Sequence, residues 1–180
     1  MLPWIIILAL SLCGSSAAAN ARKSKPDVSS DTSSRSSMPA SPRGSEALGR
    51  KQYGQASFYA SKFNNRKMAD GRRLNPNANI AASKTLPLGT TARITNLQNG
   101  KSVTVRVQDR GPFVPGRVVD VTPRVADALG MRKQGVVPVV VAPITLPHPD
   151  GSVRLGEGAA ESTPAEVREA MDTTRQLMIR

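Results

Sequence analysis

One segment constrains the fold more than any other, because 90–109 has the pattern of two paired β-strands: TTARITNLQNGKSVTVRVQD. Valines alternate with polar residues in its second half, as on a strand with one buried face. The Asn99-Gly100 pair between the two halves is typical of a two-residue hairpin turn. The segment therefore predicts an antiparallel hairpin with strands at about 91–97 and 102–108.

A further strand and a short helix are predicted after the hairpin. The apolar run 118–121 indicates a strand. Thr122 can cap a helix in which Pro123 takes the first position, and Gly130 suits the position just past its end. The residues that this helix would turn toward the core are Ala126 and Leu129.

The last strand of this region is predicted over 136–144, whose sequence VVPVVVAPI is almost wholly apolar. Such a run is typical of a strand that is buried on both faces, whereas Pro138 argues for an edge or a bulge. Five or six short strands and one small helix within about 95 residues indicate a compact barrel. We therefore predict a mainly β domain over residues 51–146.

The first 21 residues have the composition of a secretory signal peptide. Residues 2–12 are almost wholly apolar, but this run is shorter than the roughly 20 residues that a membrane-spanning helix needs. Small residues follow and offer cleavage after Ala19 or Ala21. We therefore expect residues 1–21 to be removed and the mature protein to be secreted to the periplasm or cell envelope.

Cys13 leaves a second route to the envelope open. In bacterial lipoproteins, a cysteine that follows a short apolar stretch carries the lipid, and the residue before it is usually small. Leu12 is not small, so we expect cleavage near Ala21 rather than lipid anchoring through Cys13.

The segments on either side of the barrel region are polar. Residues 22–50 are rich in Ser, Pro and charged side chains and bury too little apolar surface to offset the entropy of ordering, so we predict a disordered linker. Residues 147–180 form a C-terminal tail in which 163–166, TPAE, has the pattern of a capping box. This pattern predicts a helix over 164–179, and we expect that helix to be largely solvated.

Charge is concentrated in the barrel region and bears on the partner. Residues 51–146 contain 15 basic and 4 acidic side chains, so they carry most of the chain's net charge of +12. Outside the cytoplasm, nucleic acid is not an expected partner, whereas an anionic cell envelope is. We expect a monomer, with envelope or division proteins as alternative partners.

The residues absent from the barrel region exclude several kinds of catalysis. Residues 51–146 have no His, Cys or Glu. The chain's only His and Cys are His148 and Cys13, and all of its Glu residues lie outside this region. A Ser-His-Asp or Cys-His site needs an imidazole beside the nucleophile, and a zinc site needs several Cys, His or carboxylate ligands. We therefore expect no metal and no cofactor, and any catalysis has to rest on one or two aspartates.

Asp109 is the aspartate best placed for chemistry. It follows the predicted strand directly and begins the sequence DRGPF, whose Gly and Pro would hold it at the end of a rigid element. By strand alternation it would point to the side of the valines, where it could act as a general acid or simply cap the turn. Asp120, within a strand, is expected to pair with an arginine such as Arg117. Asp70 suits a turn, and Asp127 an exposed helix face.

Aromatic and basic side chains supply candidate contacts to a substrate. Rings beside a groove can stack on sugar faces, and cationic groups can bind carboxylates. A ring can equally fill the barrel, as Phe58 or Phe63 could. The aromatic residues beyond the leader are Tyr53, Phe58, Tyr59, Phe63 and Phe113. The residues expected to bind substrate are Tyr59, Lys84, Arg110 and Phe113.

The order of these motifs resembles the rare lipoprotein A family. The segments that carry the resemblance are 54–59 (GQASFY), 69–71 (ADG), 81–90 (AASKTLPLGT), 95–97 (TNL), 99–101 (NGK), 105–113 (VRVQDRGPF) and 116–120 (GRVVD). KTLPLGT and DRGPF in this order are highly specific. The resemblance covers about residues 52–144.

This resemblance implies both a fold and an activity. The fold is a six-stranded double-psi β-barrel, as in expansins, here with one or two short helices, a disordered N-terminal tether and a C-terminal helix. The activity is that of an endolytic peptidoglycan lytic transglycosylase, which cleaves MurNAc-GlcNAc glycan strands without water and leaves 1,6-anhydromuramyl ends.

The resemblance also assigns residues, position by position. The family's catalytic aspartate matches Asp109, and a second important position, a His before KTLP, is occupied here by Ser83. An acidic residue commonly follows the turn that matches 69–71, but Arg72 and Arg73 follow it in this chain.

Ser83 leaves a second function open. A serine can hydrogen-bond the substrate or Asp109 but cannot titrate near neutral pH, whereas Asp109 alone could both donate and accept the proton that a lytic transglycosylase moves. The alternative is a catalytically weakened peptidoglycan-binding module of the cell envelope or division machinery.

Overall fold

The computed structural model describes residues 48–179, which fold mainly as β-sheet. The strands are β1 (Gln52–Phe58), β2 (Ile80–Ser83), β3 (Thr91–Asn96), β4 (Ser102–Asp109), β5 (Arg117–Val121), β6 (Val137–Pro147) and β7 (Val153–Leu155). Helix α1 spans Pro123–Ala128, helix α2 spans Pro164–Met178, and short 3-10 turns lie at Ser61–Phe63 and Glu157–Glu161.

Six of these strands close into a barrel. Their order is β1-β5-β2-β4-β3-β6, and β6 also pairs with β1. The pairs β1–β5 and β2–β4 are parallel, and the other barrel pairs are antiparallel. Strand β7 pairs with β6 and extends the sheet beyond the barrel. The predicted six-stranded barrel is therefore confirmed.

The β3–β4 hairpin is also confirmed, but its turn is longer than predicted. The connection between the strands spans residues 97–101. A two-residue type I′ turn needs a positive φ at both of its central residues. Here Gly100 has a φ of 71°, but Asn99 does not have a positive φ. The Asn99 side chain instead donates to the carbonyl of Leu129 at 3.0 Å, which ties the loop to the end of α1.

Helix α1 lies where the sequence predicts it, but its cap differs. Gly130 follows the helix with a φ of 66°, and Ala126 and Leu129 are fully buried. Thr122 occupies the N-cap position without making the predicted cap. Its hydroxyl donates to the carbonyl of Ala78 at 2.6 Å, so it fixes the loop before β2 instead.

Strand β6 is longer than predicted and lies between two neighbours of the barrel. Residues 137–140 alternate between buried and more exposed positions, whereas 141–146 are buried throughout, because α2 and the second 3-10 turn cover this half. Pro138 is opposite Gln55 with no register shift, so the expected edge or bulge is wrong. As the second residue of its strand, Pro138 interrupts little of the ladder.

Small and β-branched side chains fill the barrel interior. The largest fully buried members of this core are Leu86, Ile94, Leu129 and Met131. A second cluster, made of Met68, Leu74 and Ile80, is separate from this core, and Tyr59 packs against it. This second cluster fixes the long β1–β2 connection beside the ends of both strands.

One face of helix α2 packs on the barrel, while most of its residues are exposed, in line with the expected solvated helix. The capping box between Thr163 and Glu166 is present, as predicted. Ala170 and Thr174 are buried, and the Thr174 hydroxyl lies 2.9 Å from Oγ1 of Thr145 in β6. The helix therefore buries small side chains rather than a broad apolar stripe.

The predicted signal peptide, the alternative lipid anchor at Cys13 and nearly all of the predicted linker lie outside the described residues. Within 48–179, no helix combines the length and the apolar character needed to cross a membrane.

Candidate active site

Two aspartates lie in one row across neighbouring strands of the barrel. Ala82 of β2 is opposite Asp109 of β4 on one side and Asp120 of β5 on the other, and Ser57 of β1 is opposite Asp120. The residues that precede Ser57, Ala82 and Asp120 in their strands, which are Ala56, Ala81 and Val119, belong to the barrel core, so the row faces outward. Since neighbouring strands are about 4.8 Å apart, the two aspartates are roughly 10 Å from each other.

Three donors hold the Asp109 carboxylate in place. Its Oδ1 accepts from the backbone N–H groups of Ala69 and Arg110, each at 2.9 Å, and its Oδ2 accepts from the Tyr59 hydroxyl at 3.0 Å. The register between β2 and β4 shifts just before Asp109, so that Gln108 is an extra residue. The expected alternation with the valines is therefore interrupted, and the carboxylate faces Tyr59 and Ala69.

Tyr59, which follows β1, is held at both ends. Its N–H donates to the carbonyl of Val121 at 3.0 Å, and its ring meets that of Phe63 edge-on, with 6.1 Å between centroids. Burial and, to a smaller extent, the negative charge of Asp109 raise the pKa of the Tyr59 phenol. The phenol therefore keeps its proton and donates it to Asp109 in a hydrogen bond.

Asp120 reaches Arg117 only through Ser57. The Ser57 hydroxyl donates to Oδ1 of Asp120, and the Arg117 guanidinium donates to Oγ of Ser57 at 3.0 Å. The predicted direct pair of Asp120 and Arg117 is thus replaced by a chain of hydrogen bonds. Sequence reasoning missed that Asp120 shares a row with Asp109, because the row depends on which distant strands become neighbours.

Ser83 is buried at the end of β2, with 1% of its surface exposed. Its Oγ accepts from the N–H groups of Leu86 at 3.2 Å and Thr85 at 3.4 Å, so it supports the turn into the KTLP segment. Ser83 is opposite the core residue Val119, whereas its neighbour Ala82 lies in the aspartate row. Strand alternation therefore places the Ser83 side chain on the face away from that row.

The remaining predicted substrate contacts have different surroundings. Arg110 donates from Nη1 to the carbonyls of Ser83 at 3.1 Å and Leu86 at 2.6 Å, so its guanidinium braces the same turn. Lys84 is exposed within that turn. Phe113 is 80% exposed and so has a free ring face, as stacking on a sugar requires. Lys84, Arg110 and Phe113 are all exposed, but the Arg110 guanidinium is occupied by the two carbonyls of the turn.

The other candidate residues lie largely where the sequence predicts them. Oδ1 of Asp70 accepts from the N–H of Arg72 at 2.9 Å, which is a turn-forming contact. Asp127 is exposed on α1 and pairs with Arg132 at 2.7 Å. Phe58 packs against the barrel core, as one alternative expected. Among residues 48–179, no three His, Cys, Asp or Glu side chains are grouped as a metal would require.

This arrangement suits proton transfer at Asp109. Oδ1 is occupied by two backbone donors, whereas Oδ2 has the Tyr59 hydroxyl as its one partner among residues 48–179. A carboxylate oxygen can interact with more than one hydrogen atom, so Oδ2 is able to meet an oxygen of a bound substrate. Asp109 can therefore give a proton to such an oxygen or take one from it.

Comparisons with known proteins point to one family. A family model described as lytic transglycolase matches residues 51–141. The endolytic peptidoglycan transglycosylase RlpA of Pasteurella multocida is 42% identical over 133 residues, covering 74% of this chain and 44% of that protein. Its namesake in Neisseria meningitidis serogroup A is 47% identical over 93 residues, covering 52% and 39%. The chain spans less than half the length of these relatives.

Among solved structures, an expansin of Clavibacter michiganensis aligns with a TM-score of 0.41 and 20% identity, covering 52% of this chain and 50% of that one. The family match includes all of β1 to β5 and the first half of β6, together with Asp109 and its three hydrogen-bond donors. The chain belongs to the lytic transglycolase family, and its described domain is a double-psi β-barrel.

Proposed function

We propose that this protein is an endolytic peptidoglycan lytic transglycosylase that cleaves MurNAc-GlcNAc glycan strands. One observation carries the proposal: the Asp109 carboxylate is held by three hydrogen-bond donors on an outward face of the barrel. The relatives named above as endolytic peptidoglycan transglycosylases support the same conclusion.

The proposed reaction moves one proton in each direction. Asp109 first donates its proton to the glycosidic oxygen, and the bond between that oxygen and C1 of the muramyl sugar breaks. The C6 hydroxyl of the same sugar then bonds to C1 and returns its proton to Asp109, which restores the acid. Because no water molecule is added to the broken bond, the cleaved strand ends in a 1,6-anhydromuramyl sugar.

Asp120 raises the question of whether water could take part. A hydrolase that inverts the sugar configuration uses two carboxyl groups separated by roughly 6.5–9.5 Å, and the backbone positions of Asp109 and Asp120 are roughly 10 Å apart in their row. However, Asp120 accepts a hydrogen bond from Ser57, which in turn is held by Arg117. We therefore give Asp120 a structural role, and the chemistry of the product ends provides the test.

The proposed setting is the cell envelope outside the cytoplasm. The barrel region's excess of basic side chains suits an anionic glycan, and we propose secretion to the periplasm, with glycan strands as the partner. The proposed working unit is a monomer, since Asp109 and its donors all come from one chain.

The deciding experiment is mass spectrometry of glycan strands digested with wild type, Asp109→Asn and Asp127→Asn. We expect anhydromuramyl ends from wild type and from Asp127→Asn, which changes an exposed aspartate on α1. Asp109→Asn should lower the rate by about 10²–10⁴-fold, since the amide keeps the shape but cannot transfer the proton. Reducing ends in place of anhydro ends would instead indicate hydrolysis.

A second candidate function, a binding module without turnover, is favoured by Ser83. Its hydroxyl is buried and occupied by backbone donors, so it supplies no titrating group beside Asp109. In that case wild type would bind glycan strands and produce no new ends, and Asp109→Asn would bind equally well.

A further inference from the structure

We propose that Arg72 and Arg106 form a subsite for a carboxylate of the glycan strand, in a cleft beside Asp109. The inference rests on the proposed function, because it specifies the chemistry of the strand that the same groove would hold. A strand offers such a carboxylate from two sources: the lactyl group of muramic acid once its peptide has been removed, or the peptide stem itself.

The cleft lies between the outer face of the barrel and helix α2. Arg106 of β4 is opposite Ile80 of β2 on one side and Thr91 of β3 on the other. Ile80 is covered by the second cluster, and Thr91 is covered by α2, whose Thr174 hydroxyl lies 3.4 Å from that of Thr91. Arg106 lies between the second cluster and helix α2. Together with Arg72, it lines a cavity of about 650 Å³.

The two guanidinium groups share a single nearby carboxylate. Nε of Arg72 lies 3.8 Å from Oδ2 of Asp70, which is beyond hydrogen-bonding distance, and Oδ1 of Asp70 is held by the backbone N–H of Arg72. Asp70 is also the acid whose charge acts on Arg106. Two cations therefore face one anion, and a second carboxylate would balance the charge and could accept paired N–H bonds from a guanidinium.

Burial and like charge make this pair unfavourable without a ligand. Burial, followed by the charge of Arg72, lowers the pKa of the Arg106 guanidinium. An arginine nevertheless remains charged in proteins, so the repulsion persists until an anion is bound.

The other charged residues of the cleft are Arg73, Glu166 and Glu169. Arg73 is exposed and donates to the backbone carbonyl of Asn65 at 2.9 Å. Glu166 is paired with Arg93 at 2.9 Å and serves in the capping box of α2. Glu169 is exposed on the helix. The charges that act on Arg106 are those of Arg72 and Asp70, while Glu166 is engaged by Arg93 and by its own helix cap.

The subsite is close enough to Asp109 to hold part of the same strand. Arg106 precedes Asp109 by three residues on β4, a distance of about 10 Å. Arg72 follows Ala69, whose N–H donates to Asp109, by three residues, so their Cα atoms are at most about 10 Å apart. A carboxylate bound between the arginines would therefore belong to a sugar near the cleaved bond or to its stem.

The identity of residue 72 makes this subsite a property of this chain. The family resemblance leads us to expect an acidic residue after the 69–71 turn, and an acid there would neutralise Arg106. Arg72 instead adds a second cation. The cleft therefore holds two arginines that an external carboxylate can bridge.

The test measures binding in the Asp109→Asn background, where the strands stay uncut. Three ligands are compared: peptide-bearing strands, strands stripped of peptide by an amidase, which carry free lactyl carboxylates, and chitin oligosaccharides, which have no carboxylate. Arg72→Glu and Arg106→Gln are added singly, and Arg154→Gln on β7 serves as the control for loss of a positive charge. Thermal unfolding of each variant shows that it folds.

We expect Arg72→Glu and Arg106→Gln to raise Kd for a carboxylate-bearing strand at least tenfold, with little change for chitin oligosaccharides or in Arg154→Gln. A loss confined to stripped strands identifies the lactyl carboxylate, and a loss confined to peptide-bearing strands identifies the stem. Folded Arg72→Glu with unchanged Kd, or an equal loss for chitin, overturns the subsite while leaving the proposed function standing. If Asp109→Asn, without either arginine substitution, binds no strand at all, both proposals are wrong.

Discussion

The hydroxyl of Tyr59 lies 3.0 Å from Oδ2 of Asp109, which joins the residue after β1 to the last residue of β4. Two backbone N–H groups fix the other oxygen of the carboxylate. The phenol is therefore the only side-chain donor that we identify to Asp109 within residues 48–179. We accordingly regard Tyr59 as a positioning residue, although the sequence predicts it as a substrate contact.

Tyr59→Phe should lower the rate of glycan cleavage roughly tenfold, which corresponds to about 1.4 kcal/mol in the barrier. The ring remains, so its packing on the second cluster is kept, but Oδ2 of Asp109 loses its donor. Single-turnover cleavage of isolated strands measures the effect. Tyr53→Phe is the matched control, since Tyr53 is 69% exposed on β1. Equal rates for Tyr59→Phe and wild type would remove the phenol from the positioning of Asp109.

The raised pKa of Tyr59 predicts a loss of stability at high pH. Above about pH 10, the phenol ionises in the unfolded chain, whereas in the folded chain it keeps its proton. The folded state then binds more protons than the unfolded state, so the free energy of unfolding falls as the pH rises.

Urea unfolding at pH 8 and at pH 10.5 measures this effect. We expect a smaller decrease in Tyr59→Phe than in wild type and Tyr53→Phe, because the variant lacks the ionising group whose pKa is raised. Identical decreases in all three proteins would mean that other groups cause the alkaline loss.

Much of the fold could be predicted from local patterns. The alternation of apolar and polar residues predicts β4, and the positions of Pro123 and Gly130 predict α1. The TPAE sequence predicts the start of α2. The errors arise where distant contacts override a local preference. Asn99 leaves the two-residue turn because its side chain is bonded to Leu129, and Thr122 does not cap α1 because its hydroxyl is bonded to Ala78.

The site could be predicted only in part, for the same reason. Asp109 is indicated by its place after a strand, and Ser83 by resemblance. The row that joins Asp109, Ala82 and Asp120 depends on strand order, which no local pattern encodes. Likewise, Arg106 reads as an ordinary outward residue of β4, and its proximity to Arg72 requires the β1–β2 connection to fold over the sheet.

Ser83→Ala should lower stability by about 1–3 kcal/mol, because the buried N–H of Leu86 loses its acceptor. The rate of cleavage per folded molecule should change less than twofold if Ser83 only supports the turn. Thermal unfolding and cleavage rates of the same preparations separate the two effects. A hundredfold loss of rate in a folded variant would instead give Ser83 the catalytic role that the resemblance suggests.

Thr174→Val should loosen helix α2 from the barrel. The Thr174 hydroxyl lies within hydrogen-bonding distance of three groups: Oγ1 of Thr145 at 2.9 Å, the carbonyl of Gly89 at 3.3 Å and Oγ1 of Thr91 at 3.4 Å. Valine keeps the volume but makes none of these bonds, so we expect a loss of about 1–2 kcal/mol in the free energy of unfolding.

Thr173→Val is the matched control for stability alone, because Thr173 is less buried than Thr174 but itself lines the cleft. Urea unfolding should separate the variants, with Thr173→Val close to wild type. Thr174→Val should also weaken binding of carboxylate-bearing strands, since α2 forms one wall of the cleft that holds Arg106. A destabilised variant with unchanged strand binding would show that the barrel alone shapes the subsite.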